Sequence, residues 1–118
     1  MGAVQGDGRI VHLKGLAPLD LEGQVVGRGD MPIQTRKVLE NIRDVLAHVG
    51  GEMKDIISLT HYVIDIRAFM ATRELRQEFF AEPYPVTSTV QVVSLYQRDI
   101  LVEITALAEI PRERFEEP

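Results

Sequence analysis

The segment that decides the fold is Ile100-Leu-Val-Glu-Ile-Thr-Ala-Leu-Ala-Glu-Ile110, the last β-rich run of the chain. Successive side chains of a strand point to opposite faces of a sheet. One face of this strand carries Leu101, Glu103 and Leu107. The other face is apolar along its whole length and consists of Val102, Ile104, Ala106, Ala108 and Ile110. A strand that is apolar on both sides needs cover on both sides.

Three other runs rich in β-branched or aromatic residues predict further strands, Arg9–Leu13, Ile56–Ile66 and Thr87–Leu95. A possible edge strand, Gln24–Val26, lies in a stretch that is otherwise rich in turn residues. A turn is expected just before Ile100, where Gln-Arg-Asp interrupts the apolar pattern.

Two segments predict helices. The first has Asp30 as its N-cap, Pro32 in its first turn and Gly50-Gly51 at its end. Its buried face follows the three-and-four spacing of a helix, with Val38, Leu39, Ile42, Val45, Leu46 and Val49. The second helix follows Asp65, and its apolar stripe is Phe69, Met70, Leu75, Phe79 and Phe80.

This order of elements predicts one α+β domain, residues 1–118, with two helices packed on one face of a mixed sheet. The second face, which carries Leu101 and Leu107, would then be an exposed apolar patch. A second copy of the chain is the simplest cover, and loops of the same chain are the alternative. We therefore expect a homo-oligomer.

Composition narrows the function classes. The 118 residues have a formal net charge of −5 and no cysteine, which excludes disulfides, thiol nucleophiles and cysteine zinc sites. An acidic chain lacks the clustered cations that nucleic acids require, and no apolar run approaches the roughly 20 residues of a membrane span. Met1–Gly8 lacks the features of a signal peptide, and His12, His48 and His61 lack metal-ligand spacing. For His61, on a predicted strand, we expect a buried core or interface residue with its hydrogen bonds satisfied. We expect a cytoplasmic protein that binds neither nucleic acid nor membranes.

Three segments together resemble the RidA/YjgF family, the reactive-intermediate deaminases. They are Gln34–Arg43 with the Gly50-Gly51 end, Tyr62–Phe69 followed by Phe79-Phe80, and Pro85–Val90 followed by Leu101–Ala108. Each segment alone is weak, but their order and spacing are specific. The resemblance spans about Arg9 to Glu109, which is nearly the whole chain.

The resemblance implies a chorismate-mutase-like fold and a homotrimer whose sheets form a central barrel, with ligand clefts between adjacent subunits. Typical members hydrolyse enamines or imines of small 2-amino acids to keto acids and ammonia, and they use no metal or organic cofactor. An arginine in these members binds the substrate carboxylate through its planar fork. A glutamate positions the attacking water.

Glu103 matches the glutamate of that pattern and is the candidate catalytic residue. Its position between Leu101 and Leu107 on one strand face is unusual, because burying an unpaired carboxylate costs folding free energy. The alternative is a carboxylate that reaches solvent or pairs with a cation. Thr87 stands where the arginine is expected, and a hydroxyl supplies neither the charge nor the fork. The alternative, to which we give equal weight, is that Thr87 is an ordinary strand residue with no role in the site.

Further residues are candidates for substrate binding. Lys14-Gly15 stands where many members have Ser-Gly, and Arg73 stands where many have asparagine. Both changes add positive charge, so either Lys14 or Arg73 is a candidate replacement for the missing arginine. The alternative is that both side chains are solvated and have no role in the site. The backbone N–H of Thr89 is a candidate oxyanion donor. In the family a tyrosine from a segment before the first strand often lines the cleft. Tyr84 is a weaker candidate to take its place, because a tyrosine between prolines more often anchors a loop.

The leading interpretation is a hydrolase or deaminase that acts on a small reactive enamine, imine or unsaturated acid, with Glu103 as general base. One alternative is a non-catalytic homotrimer, small-molecule-binding or chaperone-like, which Thr87 favours. Another is a pathway-specific hydrolase of an aminomuconate-type ring-cleavage product.

Overall fold

A computed structural model describes residues 2–118, and within them the chain forms four strands and three α-helices. A single 3-10 turn, Met53–Asp55, precedes the second strand. In chain order the elements are β1 (Arg9–Leu16), α1 (Met31–Ala47), β2 (Ile56–Val63), α2 (Ile66–Met70), α3 (Arg73–Gln77), β3 (Val86–Gln91) and β4 (Val102–Ile110).

The strands form one mixed sheet in the order β1-β4-β2-β3. β4 lies inside the sheet and is antiparallel to both β1 and β2, whereas β3 is parallel to β2 and forms an edge. The parallel pair requires a crossover, which α2 and α3 supply. The predicted α+β class with a mixed sheet is confirmed.

Helix α1 begins and ends where the sequence predicts. The Asp30 side chain accepts a hydrogen bond of 2.9 Å from the Ile33 backbone N–H, as an N-cap should. Val38 is fully buried against the sheet. Gly50, with φ of 78°, supplies the left-handed conformation beyond the helix. Val45, which the spacing places on the buried face, is instead 41% exposed.

The prediction of one continuous second helix is wrong. The segment after Asp65 forms two short helices, α2 and α3, that are separated at Ala71 and Thr72. The buried Thr72 hydroxyl donates a 2.7 Å hydrogen bond to the Phe69 carbonyl, and a threonine that bonds its own backbone in this way competes with helix continuation. The predicted stripe is correspondingly broken, since Phe69 is fully buried and Met70 is 46% exposed.

The predicted edge strand at Gln24–Val26 is also wrong. Within residues 2–118 this stretch contributes one isolated bridge, between Leu19 and Val25. The Asp20 carboxylate accepts 2.9 Å hydrogen bonds from the backbone of Glu22 and of Gln24. Those bonds hold the chain in a turn, which prevents an extended ladder.

Strand boundaries differ from the predictions by a few residues. The parallel ladder ends with the pair Val63 and Gln91, so β3 stops before the predicted Leu95. The chain leaves β2 at that point because Asp65 caps α2, accepting hydrogen bonds from the backbone N–H groups of Arg67 and Ala68. β4 begins at Val102, two residues later than predicted.

The two sheet faces differ as the alternation in β4 predicts. On the face beneath the helices, which we call the covered face, Val102, Ile104 and Ala108 are fully buried. On the other face, which we call the open face, Leu101 and Leu107 remain partly exposed. The described chain therefore seals one face of its sheet and leaves the other without a layer of its own.

Candidate functional site

Glu103 lies on the open face at the centre of the sheet, opposite Tyr62 of β2. Its carboxylate rests on the backbone of Gly15, so closely that a β-carbon at that position would collide with the carboxylate oxygen. The contact lies at the irregularity of β1 between Leu13 and Leu16. A larger residue at position 15 would displace the Glu103 carboxylate from this place, and the bulged strand brings the backbone close to it. We call Glu103 and Gly15 the glutamate subsite.

The Glu103 side chain is half-buried and chemically free. Among residues 2–118 its carboxylate has neither a hydrogen-bond donor nor a cationic partner within bonding distance. By contrast Glu109, on the same strand and face, accepts hydrogen bonds of 2.7 and 2.8 Å from the backbone of Gly6 and Gly8. Of these two carboxylates, Glu103 is the one available for proton transfer.

Lys14 and Gly15 border an open cavity of about 480 Å³ between β1 and the side of α1. The Lys14 side chain is exposed. Ala17 and Leu19, which follow β1, also line this cavity. Asn41 of α1 fixes them by donating 3.0 Å hydrogen bonds to their carbonyls. Lys14 therefore lies at the β1 edge of the sheet, whereas Thr87 lies in β3 at the opposite edge.

A second cavity, of about 330 Å³, lies on the covered face beside the edge strand β3. Its volume is at the lower end of the range for small-molecule sites. We call it the arginine cavity, and it is lined by Leu39, Leu59, His61, Arg73, Arg76, Gln77, Phe80, Tyr84, Pro85 and Thr87. This wall contains two arginines and no carboxylate. Three predicted site residues, Thr87, Arg73 and Tyr84, meet here.

His61 forms the inner wall of the arginine cavity. It pairs in register with Thr89, and its Nδ1 shares a 2.9 Å hydrogen bond with the Thr89 hydroxyl. Its ring packs on Phe69, with 4.6 Å between the centroids. Burial and, secondarily, the charge of Arg76 lower the pKa of His61 from 6.5 to about 4, so the ring is neutral near pH 7. The preference for a buried histidine at this position is confirmed.

Arg76 is the better anchored and less exposed of the two arginines. Its Nε donates a 3.0 Å hydrogen bond to the Thr72 hydroxyl, and its guanidinium lies 4.4 Å from the centroid of the Phe69 ring. Burial and the charge of Arg73 both lower the pKa of Arg76. An arginine remains protonated at neutral pH nonetheless, so this lowering reflects an unfavourable local potential that an anion would relieve.

The predicted site residues thus separate into two groups on opposite faces of one sheet. Thr87 pairs with Leu59, which is buried in the core, and Glu103 pairs with Tyr62 on the open face. Leu59 and Tyr62 are three residues apart on β2, so they point to opposite faces. Within one chain the sheet separates Glu103 from the arginine cavity.

Sequence reasoning did not identify Arg76, and it assigned His61 no role beyond packing. His61 joins the cavity because β2 and β3 pair in parallel register, which no local motif encodes. Arg76 lies one helical turn after Arg73, and this spacing of two cations on one helix face is the signal in the sequence that indicates it.

No cluster of three or more histidine, aspartate or glutamate side chains is positioned to hold a metal ion in the described range 2–118. No helix within the same range is long and apolar enough to cross a membrane.

A mixed sheet with helices on one face places the chain in the α+β class, and its cavities are of a size that admits small molecules. The family model described as endoribonuclease L-PSP matches residues 2–110. The chain is 37% identical over 101 residues to the 3-aminoacrylate deaminase RutC of Acinetobacter baylyi, covering 86% of this chain and 79% of that protein. A RutC family protein of Pyrococcus horikoshii is 36% identical with the same coverage.

Solved structures agree with the sequence relatives. A conserved Rid family protein from Yersinia pestis superimposes with a TM-score of 0.85 at 28% identity, covering 92% of this chain and 84% of that one. RidA from an Antarctic Psychrobacter gives a TM-score of 0.78 at 26% identity, covering 92% and 85%. The chain belongs to the RidA/YjgF family, as the sequence resemblance predicts.

Proposed function

We propose that the protein is a divergent RidA-like hydrolase or deaminase that acts on a small reactive enamine, imine or unsaturated acid. The observation that carries the proposal is the free, half-buried carboxylate of Glu103 against Gly15. The 37% identity to a protein named as a deaminase supports it.

Glu103 acts as the general base in this proposal. It takes a proton from water as the water oxygen bonds to the imine carbon, and it returns that proton to the nitrogen. The carbon–nitrogen bond then breaks as the hydroxyl proton is transferred to the nitrogen, which gives a carbonyl compound and ammonia. A positioned carboxylate supplies roughly 10²- to 10⁴-fold of rate in such a role.

The complete site requires a second subunit. A small substrate cannot reach Glu103 and the arginine cavity of the same chain, because the sheet lies between them. A homotrimer in which the open faces form a central barrel would bring Glu103 and Gly15 of one subunit to the β3 edge of the next. The partly exposed Leu101 and Leu107 favour such an assembly.

Arg73 is the better candidate than Lys14 to replace the missing carboxylate-binding arginine. Arg73 shares a cavity with Thr87, whereas Lys14 borders a different one. Thr87 and Thr89 then contribute a hydroxyl and a backbone N–H to the substrate. If this assignment is right, Arg73→Ala weakens carboxylate binding at least about tenfold; unchanged binding would contradict it.

The test measures ammonia release from freshly generated 3-aminoacrylate, 2-aminoacrylate, 2-iminobutyrate and an aminomuconate-type substrate. Glu103→Gln should lose roughly 100-fold or more of the rate with its oligomeric state unchanged. Glu109→Gln is the matched control, because it removes the same charge from the same strand and face. Equal rates in the two variants would overturn the assignment of Glu103.

A second candidate function is a non-catalytic, ligand-binding homotrimer. Thr87 favours it, since this hydroxyl lacks the charge and fork of an arginine. Ligand binding without ammonia release from any of the four substrates would select this alternative.

A further inference from the structure

The arginine cavity has an imbalance of charge that the reaction above does not explain. Its wall contributes two guanidinium groups, a neutral His61 and no carboxylate, although the chain as a whole has a net charge of −5. Within residues 2–118 neither Arg73 nor Arg76 forms an ion pair. One monocarboxylate would neutralise only half of this charge.

The two arginines are held in different ways. Arg76 is anchored at its Nε by the buried Thr72 hydroxyl and on its face by Phe69, which leaves the two terminal nitrogens of the guanidinium unoccupied. Thr72 is itself fixed, because its hydroxyl donates to a backbone carbonyl. Arg73 is exposed and lies one turn earlier, at the mouth of the cavity. The cavity therefore has one anchored cation, Arg76, and one exposed cation, Arg73.

We propose that Arg76 is a fixed anchor for one carboxylate and that Arg73 binds a second carboxylate of the same ligand, so that the protein selects small dicarboxylates over monocarboxylates. This inference rests on the proposed function for the reaction at Glu103, and it adds the substrate class. The free fork of Arg76 has the geometry for bidentate binding of a carboxylate. A dianion also relieves the repulsion between the two guanidiniums.

The cavity walls fit a short carbon chain between the two anionic ends. Leu39, Leu59 and Phe80 provide apolar surface, and the volume of about 330 Å³ admits a ligand of a few carbons. The neutral His61 and the Thr87 hydroxyl add hydrogen bonding without adding charge. The ligand is thus predicted to be compact, apolar in the middle and charged twice.

Calorimetry with succinate and butyrate tests the proposal, because these four-carbon probes differ in one carboxylate. At constant ionic strength, the protein should bind succinate at least about tenfold more tightly than butyrate. Arg73→Met should remove this preference, with a larger loss of affinity for succinate than for butyrate, whereas Arg76→Met should weaken both ligands to a similar degree. Arg67→Met, on the exposed surface of α2, is the matched control. Equal affinity for the two probes, or a preference that survives Arg73→Met, would overturn the proposal.

Thr72 provides a test of the anchoring. Thr72→Val removes the hydroxyl but keeps the shape, so succinate affinity should fall, and Thr72→Ser should restore it. In an Arg76→Met background Thr72→Val should have no further effect, since a positioning residue acts only through its partner. Additive losses in the double variant would contradict the anchoring of Arg76.

Two further measurements separate the inference from the function on which it rests. Glu103→Gln should retain the preference for succinate over butyrate, because both arginines of the cavity are unchanged in this variant. Full ammonia release by Glu103→Gln with an intact preference for succinate would refute the function and leave the dicarboxylate site standing. Inorganic phosphate is the remaining probe: binding tighter than that of succinate would refute the dicarboxylate assignment.

Discussion

The two faces of β4 show how one strand serves two purposes. Ile104 and Val102 on the covered face are fully buried by helices of the same chain, whereas Leu107 and Glu103 on the open face remain partly exposed. The covered face is complete in a single chain. The open face has no layer of its own in the described chain, and it carries the carboxylate with no internal partner. The covered face therefore stabilises the single chain, whereas the open face carries the carboxylate that we propose as the general base.

The largest expected effect comes from truncating the covered face. Ile104→Ala should lower the free energy of unfolding by about 4 kcal/mol, because it opens a cavity in a core that cannot collapse. Leu107→Ala is the matched change on the open face. Its cost should grow with protein concentration, since it acts on the assembled form. Chemical denaturation over a range of concentrations separates the two, and a concentration-independent cost for Leu107→Ala would contradict the assembly.

The next largest effect tests how the covered face holds the start of β4. Gln34 is fully buried, donates a 2.8 Å hydrogen bond to the Asp99 carbonyl and accepts one of 2.8 Å from the Leu101 N–H. Gln34→Leu leaves both backbone groups unpaired and should cost about 3 kcal/mol of unfolding free energy. Gln77→Leu, at an exposed position, is the control. A cost below that of the control would mean that the bonds contribute nothing.

A pH effect follows from His61. Its pKa is about 4 in the folded chain and 6.5 ordinarily, so between these values the unfolded state binds more protons than the folded state. Stability should then decrease as the pH falls from about 6.5 towards 4, by roughly 2 kcal/mol or more. Unfolding at several pH values measures this slope. His61→Asn should flatten it, and an equal slope in that variant would show that other groups are responsible.

The smallest effect is at the cap of α1. Asp30→Ala removes a 2.9 Å hydrogen bond to the Ile33 N–H and should cost about 1 kcal/mol. Asp30→Asn retains the acceptor and should cost less. Thermal melts of the two variants test the difference, and identical melting temperatures would contradict a capping role.

Much of the fold could be predicted from local patterns. The cap at Asp30, the stop at Gly50 and the alternation in β4 each depend on a few neighbouring residues, so the sequence expresses them directly. The break in the second helix could not be predicted, because a threonine such as Thr72 is compatible with a helix until its hydroxyl bonds the backbone.

The candidate site could be predicted only in part. Glu103 stands out in the sequence because a carboxylate interrupts an apolar face, and in the structure that carboxylate lies against Gly15. Its catalytic role stays a prediction. The arginine cavity depends on the register between β2 and β3 and on the turn that separates α2 from α3. These long-range features place His61 and Arg76 together, and sequence spacing alone does not reveal them.

Subunit complementation tests most directly the central claim that each site combines Glu103 of one subunit with the arginine cavity of another. Chains carrying Glu103→Gln are mixed and reassembled with chains carrying both Arg73→Met and Arg76→Met, each inactive alone. In a ring with head-to-tail interfaces, random mixing of equal amounts should restore about one quarter of the deaminase activity, because that share of the clefts contains both intact halves. An exchange of subunits that restores no activity would contradict the account.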